Sequence, residues 1–227
     1  MWTGAELGGK EAVCFDLEAR HLAAIESDLR AVRSRGLETG SIERDDFALT
    51  SIAKELETLS NSLQQGRGLL VVRGFPVDRY SIADLETVYW GMGRHFGTPV
   101  SQSVMGDRLG HVIDVTDIDP HARAYRNRRE LTLHTDFSDI VSFLCVRKAK
   151  TGGVSWFASA MAVHNRILDT RPDLLEVLYR GFYWHRYREE GMNCAPVTPW
   201  RVPVFSNCQD KVSCRFITSY IHEAVEH

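Results

Sequence analysis

LTLHTDFSDIVSFLCVRKAKTGGVSWFAS, residues 131–159, holds two β-prone apolar runs separated by a basic segment and a Gly-Gly pair. Short runs rich in Val, Phe, Leu and Thr and bounded by Gly or charged clusters predict strands. Within the first run His134 and Asp136 stand at i and i+2, so in an extended strand both side chains leave the same face. One imidazole nitrogen and one carboxylate on a shared face supply two of the three ligands of the facial triad of non-haem Fe(II) sites. Taken alone the pair is common, since independent placement gives about 0.6 His-x-Asp pairs in a chain of this composition. A hydrogen-bonded polar strand end is the more frequent origin of an isolated pair. The surrounding sequence therefore has to decide.

Outward from this stretch the texture stays β-rich. HVIDV, FYWHRY, VPVFS and KVSCRF read as further short strands, interrupted by helical segments around Ala160 to Leu168 and Asp173 to Tyr179. The first third is helical instead. Leu22, Ile25, Leu29 and Val32 repeat at helical spacing, as do Leu49, Ile52, Leu56, Leu59 and Leu63, and the glycines at 66 and 68 end the second helix. LLVVRGF then predicts a buried strand stopped by Pro76, and Ser81 with Asp84 forms a capping-box pattern opening a helix through Phe96 to Gly97. Many short strands with scattered helices, and no steady strand–helix alternation, predict an α+β protein with a jelly-roll core and helices packed outside it. The N-terminal helices are expected to contribute no ligand.

Other function classes are excluded or demoted. The 227 residues carry a formal net charge of −3, which gives no general attraction to nucleic acid or to an anionic membrane. No apolar run is long enough to cross a bilayer, and the N-terminal residues lack the basic and apolar regions of a secretory signal. Five cysteines without a CxxC pair fit reduced structural thiols, so an intracellular, cytoplasmic location is expected. GMGRHFG, residues 91–97, contains Gly-x-Gly late in a helical pattern rather than at a strand-to-helix turn, so it is not a dinucleotide fingerprint. The cluster Arg123, Arg126, Arg128 and Arg129 is diluted by Tyr125, Asn127 and Glu130 and reads as a solvated loop or a local anion contact.

The run HTDFSDIVSFLCVRKAKTGGVSWFASAMAVHNRILDTRPDLLEVLY closely resembles the taurine dioxygenase-like (TauD/TfdA-type) family of Fe(II)- and 2-oxoglutarate-dependent oxygenases. GRGLLVVRGFPVD, HFGTPVSQSVMGDRLGHVIDV and VPVFSNCQDKVSCRF look like further segments of that family in its order, so the resemblance runs from about Gly66 onward. It implies a double-stranded β-helix, a helical region over residues 1–65, and a partial oxygenase domain over residues 66–227. It implies Fe(II) held by His134 and Asp136, and 2-oxoglutarate as co-substrate with its distal carboxylate bonded by Ser155. Gln102, Ser103 and Tyr125 fall at positions that face substrate in relatives. The implied reaction oxidises a small organic molecule and releases succinate and CO₂.

The family's distal His ligand and co-substrate Arg have no counterpart up to His227, and His222 and His227 stand in a helical context unlike the distal ligand's. An incomplete jelly roll, impaired turnover, and an oligomer or partner chain covering exposed sheet edges are the resulting expectations. Two other readings stay open: a non-catalytic remnant acting as a binding protein, and a cupin-like metal module, which would need more His and Glu ligands close together.

Overall fold

The computed structural model describes residues 1–102, 106–119, 126–128, 130–186 and 194–227. Two packed units emerge, one from residues 4–109 and 140–153, the other from residues 1–3, 110–139 and 154–227. This division does not coincide with residue 65. A parallel pair of short strands, β1 (Cys14–Asp16) and β2 (Val71–Arg73), joins sequence from both sides of that point.

The first unit is built on helices. After α1 (Gly4–Leu7), α2 (Ala19–Ser34) starts at a reciprocal cap. The His21 N–H donates to the Glu18 carbonyl at 3.0 Å, and the Glu18 N–H donates to His21 Nδ1 at 2.8 Å. Ala24, Ile25, Leu29 and Val32 form its buried stripe, as the 3.6-residue period requires. α3 (Ala53–Gln65) and α4 (Ile82–Gly93) complete the packing around Phe47, Ile42 and Leu49. Each of these fully buried side chains contributes about 1.5–3 kcal/mol of transfer free energy. Gly91 is required where it stands, because a Cβ there would fall 2.4 Å from the Phe47 ring.

Several buried polar groups of this unit find partners, while His21 Nε2 and His95 Nδ1 find none among the described residues. The Trp90 indole N–H donates to the Ile42 carbonyl at 2.9 Å, and buried Asp84 meets Arg33 of α2. Asp84 also closes the box predicted with Ser81, donating its N–H to Ser81 Oγ at 3.2 Å. His95 Nε2–H donates to the Phe47 carbonyl at 2.8 Å, and burial pushes its pKa below the ordinary histidine value.

Three local expectations are corrected here. α4 stops at Gly93, and the chain to Gly97 tightens into turns rather than continuing the helix. Leu49 takes a left-handed conformation, φ 47°, with its N–H held by the Asp28 carboxylate at 2.7 Å, and so precedes the helix. β2 spans three residues with Val71 and Val72 exposed, because it pairs with β1 alone and no layer covers it.

The second unit contains α5 (Ala160–Thr170), α6 (Pro172–Arg180), the antiparallel pair β3 (Phe205–Cys208) and β4 (Lys211–Cys214), and α7 (Thr218–Ala224). Ser159 caps α5 through the Ala162 N–H, and Pro172 opens α6, where its missing donor costs nothing. Gln209 and Asp210, both at positive φ, make the two-residue turn that right-handed strand twist favours. Leu175, Val204 and Phe205 form the core, with Ile167, Leu178, Tyr179, Phe182 and Phe216 against it.

The jelly roll expected from the strand-like runs is not formed by the described residues. HVIDV, LTLHTD, IVSFLCVRK and VSWFAS join no ladder, and the stretches around Phe182 and His185 meet Val202 and Val197 only in isolated bridges. Side chains such as Phe143 and Trp156 stay 77 % and 80 % exposed. β propensity measures how well a side chain fits a pleated, half-buried surface, and it does not provide the neighbouring backbone that completes a ladder. No helix among the described residues is long and apolar enough to cross a membrane.

Candidate metal centre

The His-x-Asp segment belongs to the second unit and is anchored there from the β4 side. Thr135, between the two candidate ligands, donates its N–H to the Phe216 carbonyl at 2.8 Å. Phe216 returns its N–H to Thr135 Oγ1 at 2.9 Å. Thr135 is half-buried while His134 and Asp136 are exposed, the alternation an extended chain gives when its middle residue faces inward.

His134 Nδ1 lies 2.7 Å from the Thr132 carbonyl oxygen. A carbonyl only accepts, so Nδ1 is the donor in this contact, and in the neutral ring Nε2 then holds the lone pair. A ligating imidazole has this form, with the second nitrogen donating to a carbonyl that fixes ring and tautomer. The Asp136 carboxylate has no hydrogen bond or ion pair to the described residues and is free to donate oxygen. A neutral imidazole nitrogen and an unpaired carboxylate suit ferrous iron chemically. These two donors thus fit the metal, while no group of three or more His, Cys, Asp or Glu among the described residues could hold one.

Immediately beyond Asp136, the Phe137 ring packs on Trp184 and Tyr220 with centroids 5.9 and 5.7 Å away. The Arg215 guanidinium sits 5.7 Å from the same ring. Trp184 is buried, and its chain neighbour His185 donates its N–H to the Tyr220 carbonyl at 2.8 Å. Motif spacing made His134 and Asp136 visible. No such signal marks Thr135, Phe216, Trp184 or Tyr220, whose roles depend on contacts between distant segments.

Of the other candidate positions, Ser155 and Gln102 fall among the described residues. Ser155 is exposed and hydrogen-bonds to none of the described residues. It follows Gly152 and Gly153, whose φ values of 72° and 70° require glycine. Gln102, in the first unit, donates its side-chain amide to the Val100 carbonyl at 3.1 Å. Ser103 and Tyr125 lie outside the described residues.

Arg128 is engaged by Asp114 and Asp117. The Thr116 hydroxyl and N–H, with Arg128, hold the Asp114 carboxyl down at about 2. His164 has Asn165 and Tyr179 at 3.0 Å on its two ring nitrogens, and His185 stacks on His227. These contacts describe packing histidines. The five cysteines form no disulfide.

Comparison with known proteins adds a family match. The family model described as taurine catabolism dioxygenase TauD, TfdA family matches residues 33–224. FR-33289 synthase of Streptomyces rubellomurinus is 28 % identical over 219 residues, which cover 95 % of this chain and 64 % of that protein. Taurine hydroxylase-like protein SAT17 of Stachybotrys chartarum is 28 % identical over 198 residues, which cover 83 % of this chain and 51 % of that protein. The chain thus spans about half to just under two-thirds of the length of these curated relatives.

Proposed function

Since this chain belongs to the taurine catabolism dioxygenase TauD, TfdA family, we propose that it is an Fe(II)- and 2-oxoglutarate-dependent oxygenase of a small organic substrate. The observation that carries this reading is the state of the two donors. Thr132 fixes the His134 proton on Nδ1, leaving Nε2 for a metal, and Asp136 is unpaired two residues later. The relatives' names, a synthase and a hydroxylase-like protein, agree with oxidative chemistry on an organic molecule.

In this proposal His134 and Asp136 hold the iron through nitrogen and oxygen. Bound iron with 2-oxoglutarate and O₂ would supply the oxidising power, the co-substrate leaving as succinate and CO₂. The remaining tasks belong to the chain. The Thr132 carbonyl keeps the His134 ring oriented, and the Thr135 contacts keep the two donors on the outward side of the segment. Ser155, aimed by the Gly-Gly turn, donates a hydroxyl hydrogen bond to the distal carboxylate of the co-substrate without adding a competing charge. Gln102, Ser103 and Tyr125 are the positions that the family resemblance assigns to the organic substrate.

The test is succinate release from 2-oxoglutarate by the purified protein with Fe(II), ascorbate and O₂. Succinate that requires iron and disappears in His134→Ala is the expected result. No succinate, or an undiminished yield from His134→Ala, would overturn the proposal.

A further inference from the structure

We infer that Thr135 is a positioning residue for the metal donors, acting through its reciprocal hydrogen bonds with Phe216; this inference rests on His134 and Asp136 being the ligands. The motif segment pairs with no strand, so its backbone needs another source of order. Thr135 supplies it twice, with its N–H on the Phe216 carbonyl at 2.8 Å and its hydroxyl oxygen under the Phe216 N–H at 2.9 Å. The hydroxyl thereby takes the place of the second backbone acceptor that a ladder partner would provide.

Phe216 is itself well placed to act as an anchor. Its side chain packs against Leu175, Val204 and Phe205, and the preceding Arg215 N–H donates to the Val204 carbonyl at 2.8 Å. Rigidity in this hydrophobic cluster passes through two hydrogen bonds to the residue standing between the donors. On the far side of Asp136, Phe137 is held by Trp184 and Tyr220. The tripeptide is held at its middle residue and just beyond its C-terminal end, and its exposed donors lose less conformational freedom when a metal binds.

The hydroxyl is the group with a specific role. Valine keeps the β-branched shape but leaves the Phe216 N–H without its acceptor, whereas serine keeps the acceptor. Anaerobic Co(II) titration, followed by the visible absorption of the bound ion, separates the two. Thr135→Ser is expected to bind within about twofold of wild type and Thr135→Val roughly 10-fold or more weaker, the range of supporting-shell substitutions.

A second readout needs no variant at Thr135. Linkage is reciprocal, so saturating Co(II) should slow hydrogen exchange of the Phe216 amide in the wild-type chain. Folded Thr135→Val that binds Co(II) as tightly as wild type would overturn the positioning role. So would a Phe216 amide indifferent to bound Co(II). Equal Co(II) binding by wild type and the His134→Ala, Asp136→Ala double variant would instead overturn the ligand assignment, and the positioning role with it.

Discussion

α2, α3 and α4 bury Ile25, Leu29, Val32, Leu56, Leu85 and Val88 from the apolar stripes that their spacing marks, whereas residues 131–157 leave Leu133, Phe143 and Trp156 in solvent. Both regions are apolar enough to build a core. They differ in where the backbone finds its hydrogen bonds. A helix satisfies its own peptide groups, so an amphipathic stripe needs only a neighbouring stripe to cover it. An extended segment leaves its peptide groups to whatever backbone lies alongside. Residues 131–157 join no ladder among the described residues, and the contacts that hold them include Thr135 with Phe216 and Tyr89 with Ser142.

The sharpest way to break this contrast is to hollow out the helical core. Phe47→Ala removes a fully buried ring packed against Gly91, and is expected to cost about 3–5 kcal/mol in urea or thermal unfolding. A loss below about 1 kcal/mol would mean that the core collapses into the gap and is less specifically packed than its contacts imply. The smallest effect is expected at the other extreme. Trp156→Gln should change unfolding free energy by no more than about 0.5 kcal/mol, as an exposed side chain should. A cost above about 1 kcal/mol there would show that the segment is covered in solution and that the two regions are less different than described.

The same contrast explains what could be read from residues alone. The stripe of α2, the Ser81–Asp84 box, the Pro172 start of α6 and the β3 and β4 segments all follow from neighbours a few residues apart. The β1–β2 pairing escaped because Cys14 and Val71 are joined only by the fold. Likewise nothing near Thr135 in the sequence announces Phe216, 81 residues away. Of the candidate site, His134 and Asp136 stood out as a pair because metal chemistry constrains both residue types and spacing. Gln102 was named by position in relatives, and its amide is turned to the Val100 carbonyl of its own loop.

In the proposed function these two exposed side chains are the iron donors. Equilibrium dialysis against Fe(II) under anaerobic conditions, with iron counted per chain, tests it most directly. The prediction is one iron per wild-type chain in the presence of 2-oxoglutarate, lost when His134 and Asp136 are both replaced by alanine. Iron bound equally by the double variant, or no iron bound by the wild-type chain, would contradict it.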